Sequence, residues 1–118
     1  MKTYYRFKFY LNARHSVSFN GKQSGIHPHT WEITVIFGSE QSDTINFSMF
    51  EKELENYFLS YESKYLNEHQ SFTAVTPTME NMGKVFYHHI KELINNQQLY
   101  FRTLEISENP TRTYIIED

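Results

Sequence analysis

Three histidines carry the chemistry most visible in this sequence. His15 ends a strand-like run, and His27 and His29 flank Pro28 at the start of the next. Three imidazoles can take three corners of a tetrahedral zinc site and leave the fourth open, the arrangement used for chemistry rather than for stapling a fold. The chain has no cysteine, which removes disulfides, thiolate ligands and thiol nucleophiles together. Any metal must therefore rest on nitrogen and oxygen. An H-x-H pair by itself fixes a shared face and not a meeting point, and a lone histidine is ordinarily a hydrogen-bonded core residue. The decisive question is what positions the three rings.

Two extended segments do so. Tyr5, Phe7, Phe9 and Leu11 alternate with Arg6, Lys8 and Tyr10, the period-two pattern of a strand with one buried face, and His15 falls on the apolar parity. Residues 18–28, with Asn20, Gly21, Ser24, Gly25 and Pro28, read as a loop. Alternation then resumes through Trp31, Ile33, Val35 and Phe37, and His27 and His29 continue that parity. Since side chains at i and i+2 share a face, all three histidines point to one side of a two-stranded ribbon. Pro28 biases His27 toward extended backbone, which favours this geometry.

Helical spacing follows. Phe47, Phe50, Leu54, Tyr57 and Phe58 predict a helix over about residues 47–60, with Ser48 and Glu51 in the form of a capping box. A polar connection leads to Pro77, with Thr78 as N-cap of a second amphipathic helix marked by Met79, Met82, Phe86, Ile90 and Leu93. Two short runs, Tyr100–Ser107 and Arg112–Ile116, read as a closing hairpin turned at Glu108-Asn109-Pro110. The order predicts an α+β domain, an antiparallel sheet with helices on one face.

The other ionisable residues carry two readings each. Glu62, Glu68 and His69 lie in the polar connection, where charged side chains normally face solvent; one of them beside a metal would serve as acid or base. Glu108 is either a solvated turn residue or a carboxylate able to accept paired hydrogen bonds from a flat, guanidine-like heterocycle. His88 and His89 are neighbours on a helix, about 100° apart, so an exposed helical face explains them better than a shared metal.

At 118 residues one domain, 1–118, is expected. A net charge of −3 offers no basic stripe for a phosphate backbone, so nucleic acid is not an expected partner. Lys2, Arg6 and Lys8 interrupt the N-terminal segment, which argues against a signal peptide or membrane span and makes a cytoplasmic protein the expectation. Aromatic residues make up 17% of the chain against four glycines and three prolines. Much of the core must then be Phe and Tyr.

Several segments resemble the 6-pyruvoyltetrahydropterin synthases and the related bacterial 6-carboxytetrahydropterin synthases. Asn12-Ala13-Arg14-His15 resembles the family's F-x-A-A-H, and His27-Pro28-His29-Thr30-Trp31 its H-G-H-N-[YF] with proline for glycine. Ile45-Asn46-Phe47 is similar to V-x-D-F, Lys64-Tyr65-Leu66-Asn67 to x-x-L-N, Pro77-Thr78-Met79-Glu80-Asn81 to P-T-x-E-N, and Ser107-Glu108-Asn109-Pro110-Thr111 to the E-T-P segment. The likenesses run in order over nearly the whole chain. The resemblance implies the tunnelling fold, a four-stranded antiparallel sheet with two helices on one side, closed into barrels as a homo-oligomer, trimer or hexamer. It implies Zn2+ on His15, His27 and His29, and a small-molecule pterin anchored by Glu108.

The departures from the family bear on activity. Where catalytic members carry a cysteine four residues before H-x-H, this chain has Gln23, and where they carry an Asp-His pair it has Glu62 and Ser63. A glutamine amide has no useful acid or base function near neutral pH, so the proton relay is dismantled. Two readings remain: a zinc-dependent pterin enzyme of altered chemistry in which Glu62 or His69 moves protons, or a silent member that binds a pterin, regulates or assembles. Standard synthase activity is expected to be weak or lost.

Overall fold

The computed structural model describes residues 1–39, 45–97 and 99–118. Strand β1 (Tyr5–His15) and strand β4 (His27–Ser39) pair antiparallel along the full length of β1, from Tyr5 opposite Phe37 to His15 opposite His27. Alternation dictates this register. Leu11, Ala13 and His15 of β1 and Trp31, Ile33, Val35 and Phe37 of β4 are buried on one face, and a slip by one residue would turn all of them to the other. Strand β5 (Leu99–Asn109) joins the free side of β4, and β6 (Arg112–Glu117) joins β5, giving the order β1-β4-β5-β6.

Helices α1 (Phe47–Leu59) and α2 (Met79–Asn95) supply the facing layer. Phe50 and Leu54 from α1 and Met82, Phe86, Ile90 and Ile94 from α2 are fully buried against the sheet, each contributing about 1.5–3 kcal/mol by removal from water. Gly83 permits the close approach of α2: a Cβ there would lie 3.2 Å from the side chains of Ile106 and Tyr114. Thr78 caps α2 as expected, accepting from the backbone N–H of Asn81 at 3.1 Å. No described helix is long and apolar enough to cross a membrane.

Four details correct the sequence reading. Helix α1 is capped by Asn46, whose side-chain oxygen accepts from Met49 N at 3.1 Å, so Ser48 lies inside the helix and forms no capping box with Glu51. The segment read as a loop over 18–28 contains a small hairpin, β2 (Ser18–Phe19) with β3 (Lys22–Gln23), and its end belongs to β4. Asn20 and Gly21 turn that hairpin at φ 52° and 77°, the backbone that Asn-Gly pairs adopt at two-residue hairpin loops. The connection after α1 is packed rather than merely solvated: its two single-turn 3-10 helices, Leu66–Glu68 and Gln70–Phe72, bury Leu66 and Phe72. Lastly, β5 runs on through Asn109, which places Glu108 in a strand and leaves the turn to Pro110 and Thr111.

Segment 62–65 runs along the outer side of β1. Ser63 N donates to Asn12 O at 2.6 Å, and Arg14 N to Lys64 O at 2.9 Å. This contact, made by residues distant in sequence, covers the edge of β1 next to His15.

Candidate metal centre

Strand pairing brings the histidines together. His15 and His27 are directly opposed at the end of the β1–β4 ladder, and His29 follows on the same face. Their ring centroids lie 4.5, 5.1 and 4.9 Å apart, and one nitrogen from each lies within 4.8 Å of the other two. Trp31, fully buried, packs edge-on against His15 and His29 at 4.9 and 5.1 Å. It forms the floor of the cluster.

Backbone carbonyls orient two of the rings. His15 Nδ1 is 2.8 Å from Pro77 O, and His27 Nδ1 is 3.0 Å from Gly25 O. A carbonyl only accepts, so Nδ1 carries the proton in both rings and Nε2 presents a bare lone pair. His15 Nε2 and His29 Nε2 are buried and have no hydrogen-bond partner. Orphaned buried polar atoms cost about 1–3 kcal/mol each unless something fills the space between them. Neutral imidazoles held by backbone carbonyls are what a bound zinc, copper, iron or nickel ion requires. The cluster can hold a metal ion.

Burial lowers the pKa of His15, reinforced by the neighbouring His27 and His29 and opposed by the Pro77 hydrogen bond and by Glu108. Burial also lowers that of His29, opposed by the Glu108 carboxylate. Both effects keep the rings in the neutral, ligating form.

Asn67 and Pro77 support the first ligand, and sequence reasoning assigned neither to the site. The Asn67 side chain grips both backbone groups of Ser16, accepting from its N–H at 2.9 Å and donating to its carbonyl at 2.9 Å. An amide clamped in this way continues β1 by one residue and holds His15 at a fixed height. Pro77, immediately before the α2 cap, ties the ring to the start of that helix. The only sequence signal for either was its membership in the L-N and P-T-x-E-N segments.

Glu108 joins the cluster. Its Oε2 is 3.9 Å from Nε2 of both His15 and His29, and its Oε1 is 3.2 Å from Arg112 Nη2. The register of β5 with β6 is irregular between Ile106 and Asn109, and such irregularities re-aim side chains near functional sites. Here it surrounds Glu108, which has the same parity as buried Ile106.

The other two candidates lie elsewhere. Glu62 holds the edge of β1: its two carboxylate oxygens accept from Asn12 N at 3.1 Å and Asn12 Nδ2 at 3.0 Å. His69 stacks on Tyr61 at 4.1 Å, and its Nδ1 accepts from Ser71 N at 3.0 Å. Its proton therefore sits on Nε2, 3.2 Å from Ser60 Oγ, and the ring has no free lone pair to act as a base. Gln23 donates to Ser16 Oγ at 2.8 Å. His88 and His89 are exposed on α2, as expected, with His89 stacked on Tyr57 at 3.7 Å.

The comparisons with known proteins agree with this architecture. No curated protein matches the chain significantly. Among solved structures it is similar to 6-pyruvoyl tetrahydropterin synthase from Caenorhabditis elegans, at 14% identity and TM-score 0.82 over 98% of this chain and 95% of that one. It is also similar to the Plasmodium falciparum 6-pyruvoyl tetrahydropterin synthase, at 12% identity and TM-score 0.69 over 98% of both chains. An uncharacterized protein from Wolinella succinogenes matches at 9% identity and TM-score 0.69, over 98% of this chain and 99% of that one. At these identities the structural likeness establishes the fold, the tunnelling fold that the motifs implied. The family model for 6-pyruvoyl tetrahydropterin synthase matches residues 4–118, and the chain belongs to that family.

Proposed function

We propose that this chain, a single cytoplasmic domain over residues 1–118, is a zinc-binding 6-pyruvoyltetrahydropterin synthase-like protein that binds a pterin, with standard synthase turnover weak or lost. The observation that carries this reading is the set of unpartnered, buried Nε2 atoms of His15 and His29 meeting His27 beside the Glu108 carboxylate. Bound zinc would polarise an oxygen of the ligand as a Lewis acid. His15, His27 and His29 hold the ion, and Trp31 excludes water beneath it. Glu108 accepts the paired N–H groups of the flat heterocycle.

Weak turnover follows from the groups that would have to move protons. The Gln23 amide donates to Ser16, Glu62 is anchored at the edge of β1 by two hydrogen bonds from Asn12, and His69 has spent its lone pair on Ser71. Each missing acid or base costs about 10²–10⁴ in rate. A homo-oligomer, trimer or hexamer, is part of the same reading: β1 and β6 are the outer strands, they expose Tyr10 and Ile115, and pairing between copies would cover β6 and the part of β1 that lies before the stretch bonded to segment 62–65.

The test is to incubate zinc-loaded protein with dihydroneopterin triphosphate, follow products, and measure pterin binding by fluorescence. Binding without turnover, lost in Glu108→Ala, is the expected result. Turnover abolished by Glu62→Gln would establish the alternative, an enzyme of altered chemistry. Protein that carries no transition metal and takes none up would overturn the reading.

A further inference from the structure

We propose that Glu108 is a displaceable fourth ligand of the metal held by the three histidines, so that the centre is closed by its own carboxylate until a pterin draws that carboxylate away. The inference rests on the metal-and-pterin reading above and adds a switch to it. Three observations carry it.

The first is distance. Oε2 of Glu108 lies 3.9 Å from Nε2 of both His15 and His29, too long for a hydrogen bond to either. It is close to the spacing of about 3.3 Å between two ligands of one tetrahedral zinc, given metal–ligand bonds near 2.0–2.1 Å. The approach is to His15 and His29; among the described residues no nitrogen–oxygen pair within 4.0 Å links Glu108 to His27. Tetrahedral closure places a fourth ligand about equally far from all three donors, so Oε2 must swing toward His27 to complete the site.

The second is charge. Because the Nδ1 proton of His15 is given to Pro77, its Nε2 faces the carboxylate as a lone pair. An anionic oxygen pointed at an unprotonated nitrogen is repelled, and the arrangement becomes attractive when a divalent cation lies between them. With that cation present the same three atoms are ligands.

The third is tethering. Arg112 Nη2 holds the other carboxylate oxygen at 3.2 Å, and the Glu108 side chain is only 17% exposed. With Oε1 occupied by Arg112, Oε2 is the atom left to face the histidines. A pterin edge needs both oxygens for its paired N–H bonds, so binding it draws Oε2 off the metal and competes with Arg112 for Oε1. The step is a ligand exchange: the carboxylate leaves the metal and a substrate oxygen or water enters, with no change of oxidation state.

The experiment loads metal-free protein with Co2+, whose visible spectrum reports coordination, and measures Co2+ affinity by competition with a chromophoric chelator. Glu108→Gln, close in shape, should lose about 10–100-fold in affinity and show a shifted spectrum. Arg112→Ala should gain affinity several-fold, because the freed carboxylate can bind through both oxygens; a structural role for the pair gives no such gain. Neopterin added to the unaltered protein should move its spectrum toward that of Glu108→Gln. Identical affinity and spectra for the unaltered protein and Glu108→Gln, with neopterin binding lost only in the variant, would overturn the inference and leave the pterin reading standing. Failure of the unaltered protein to bind Co2+ would remove both.

Discussion

Two regions of this molecule are built from the same residue types and have opposite character. At the end of the β1–β4 ladder, His15, His27 and His29 meet with Glu108 nearby, and two imidazole nitrogens are left buried without partners. Around the connection after α1, His69, Tyr57, Tyr61, Ser60 and Ser71 form a second cluster, next in sequence to Glu62 and its bonds to Asn12, in which Tyr57 bonds Tyr61 at 3.1 Å, Tyr61 bonds Ser71 at 2.9 Å, and both nitrogens of His69 are satisfied. Satisfied polar groups specify a local structure; convergent unsatisfied ones are costly and persist where something else completes them. Residue type does not separate a site from a scaffold, whereas the fate of each lone pair does.

The contrast can be broken most sharply by truncating one histidine from each region. His15→Ala should abolish stoichiometric metal binding, measured by elemental analysis after dialysis, while His69→Ala should leave the stoichiometry of the unaltered protein. Equal retention in both variants would erase the distinction.

Acidification should discriminate next. His15 and His29 titrate below the ordinary histidine value of 6.5 when folded, so the unfolded chain binds the extra protons first. Their contribution to stability is complete above that value and is lost as pH falls from it through the lowered folded values. Metal affinity falls over the same acid range, by up to about tenfold per pH unit for each imidazole that must shed a proton. Thermal unfolding and chelator competition from pH 8 to pH 5 would measure both; flat profiles would contradict the burial assigned to these rings.

Asn67→Ala tests the support of His15 rather than the ligand. Loss of the clamp on Ser16 should weaken metal binding about 10–100-fold, and a variant that binds as tightly as the unaltered protein would show that β1 holds its last residue unaided.

The smallest effect belongs to the scaffold region. Glu62→Ala removes two hydrogen bonds to Asn12 and should cost about 1–2 kcal/mol of stability by denaturant titration, with metal affinity unchanged. A drop in metal affinity without a drop in stability would move Glu62 into the site.

How much of this was legible follows from how local each signal is. Period-two alternation carried β1 and β4 and the shared face of the histidines, because the pleat itself imposes it. The spacing of Phe50, Leu54 and Phe58 carried α1, though Asn46 rather than Ser48 caps it, since several nearby polar residues could serve and packing selects the start of the helix. Composition misread 18–28, where the Asn20-Gly21 pair was a turn signal hidden among other loop residues, and it misread Glu108 as a turn residue because Glu-Asn-Pro is equally compatible with a strand that ends two residues later, at Asn109.

By itself, then, the sequence determined the element order, the buried parity and the identity of three nitrogen donors on one side of a ribbon. Those properties depend on neighbours within a few residues. The meeting of the Nε2 atoms, the Pro77 and Asn67 supports reaching His15 and Ser16 across 62 and 51 residues, and the turn of Glu108 toward the histidines were decided only in the tertiary structure. Each depends on a long-range contact or a register shift whose free energy comes from packing the whole sheet against its helices.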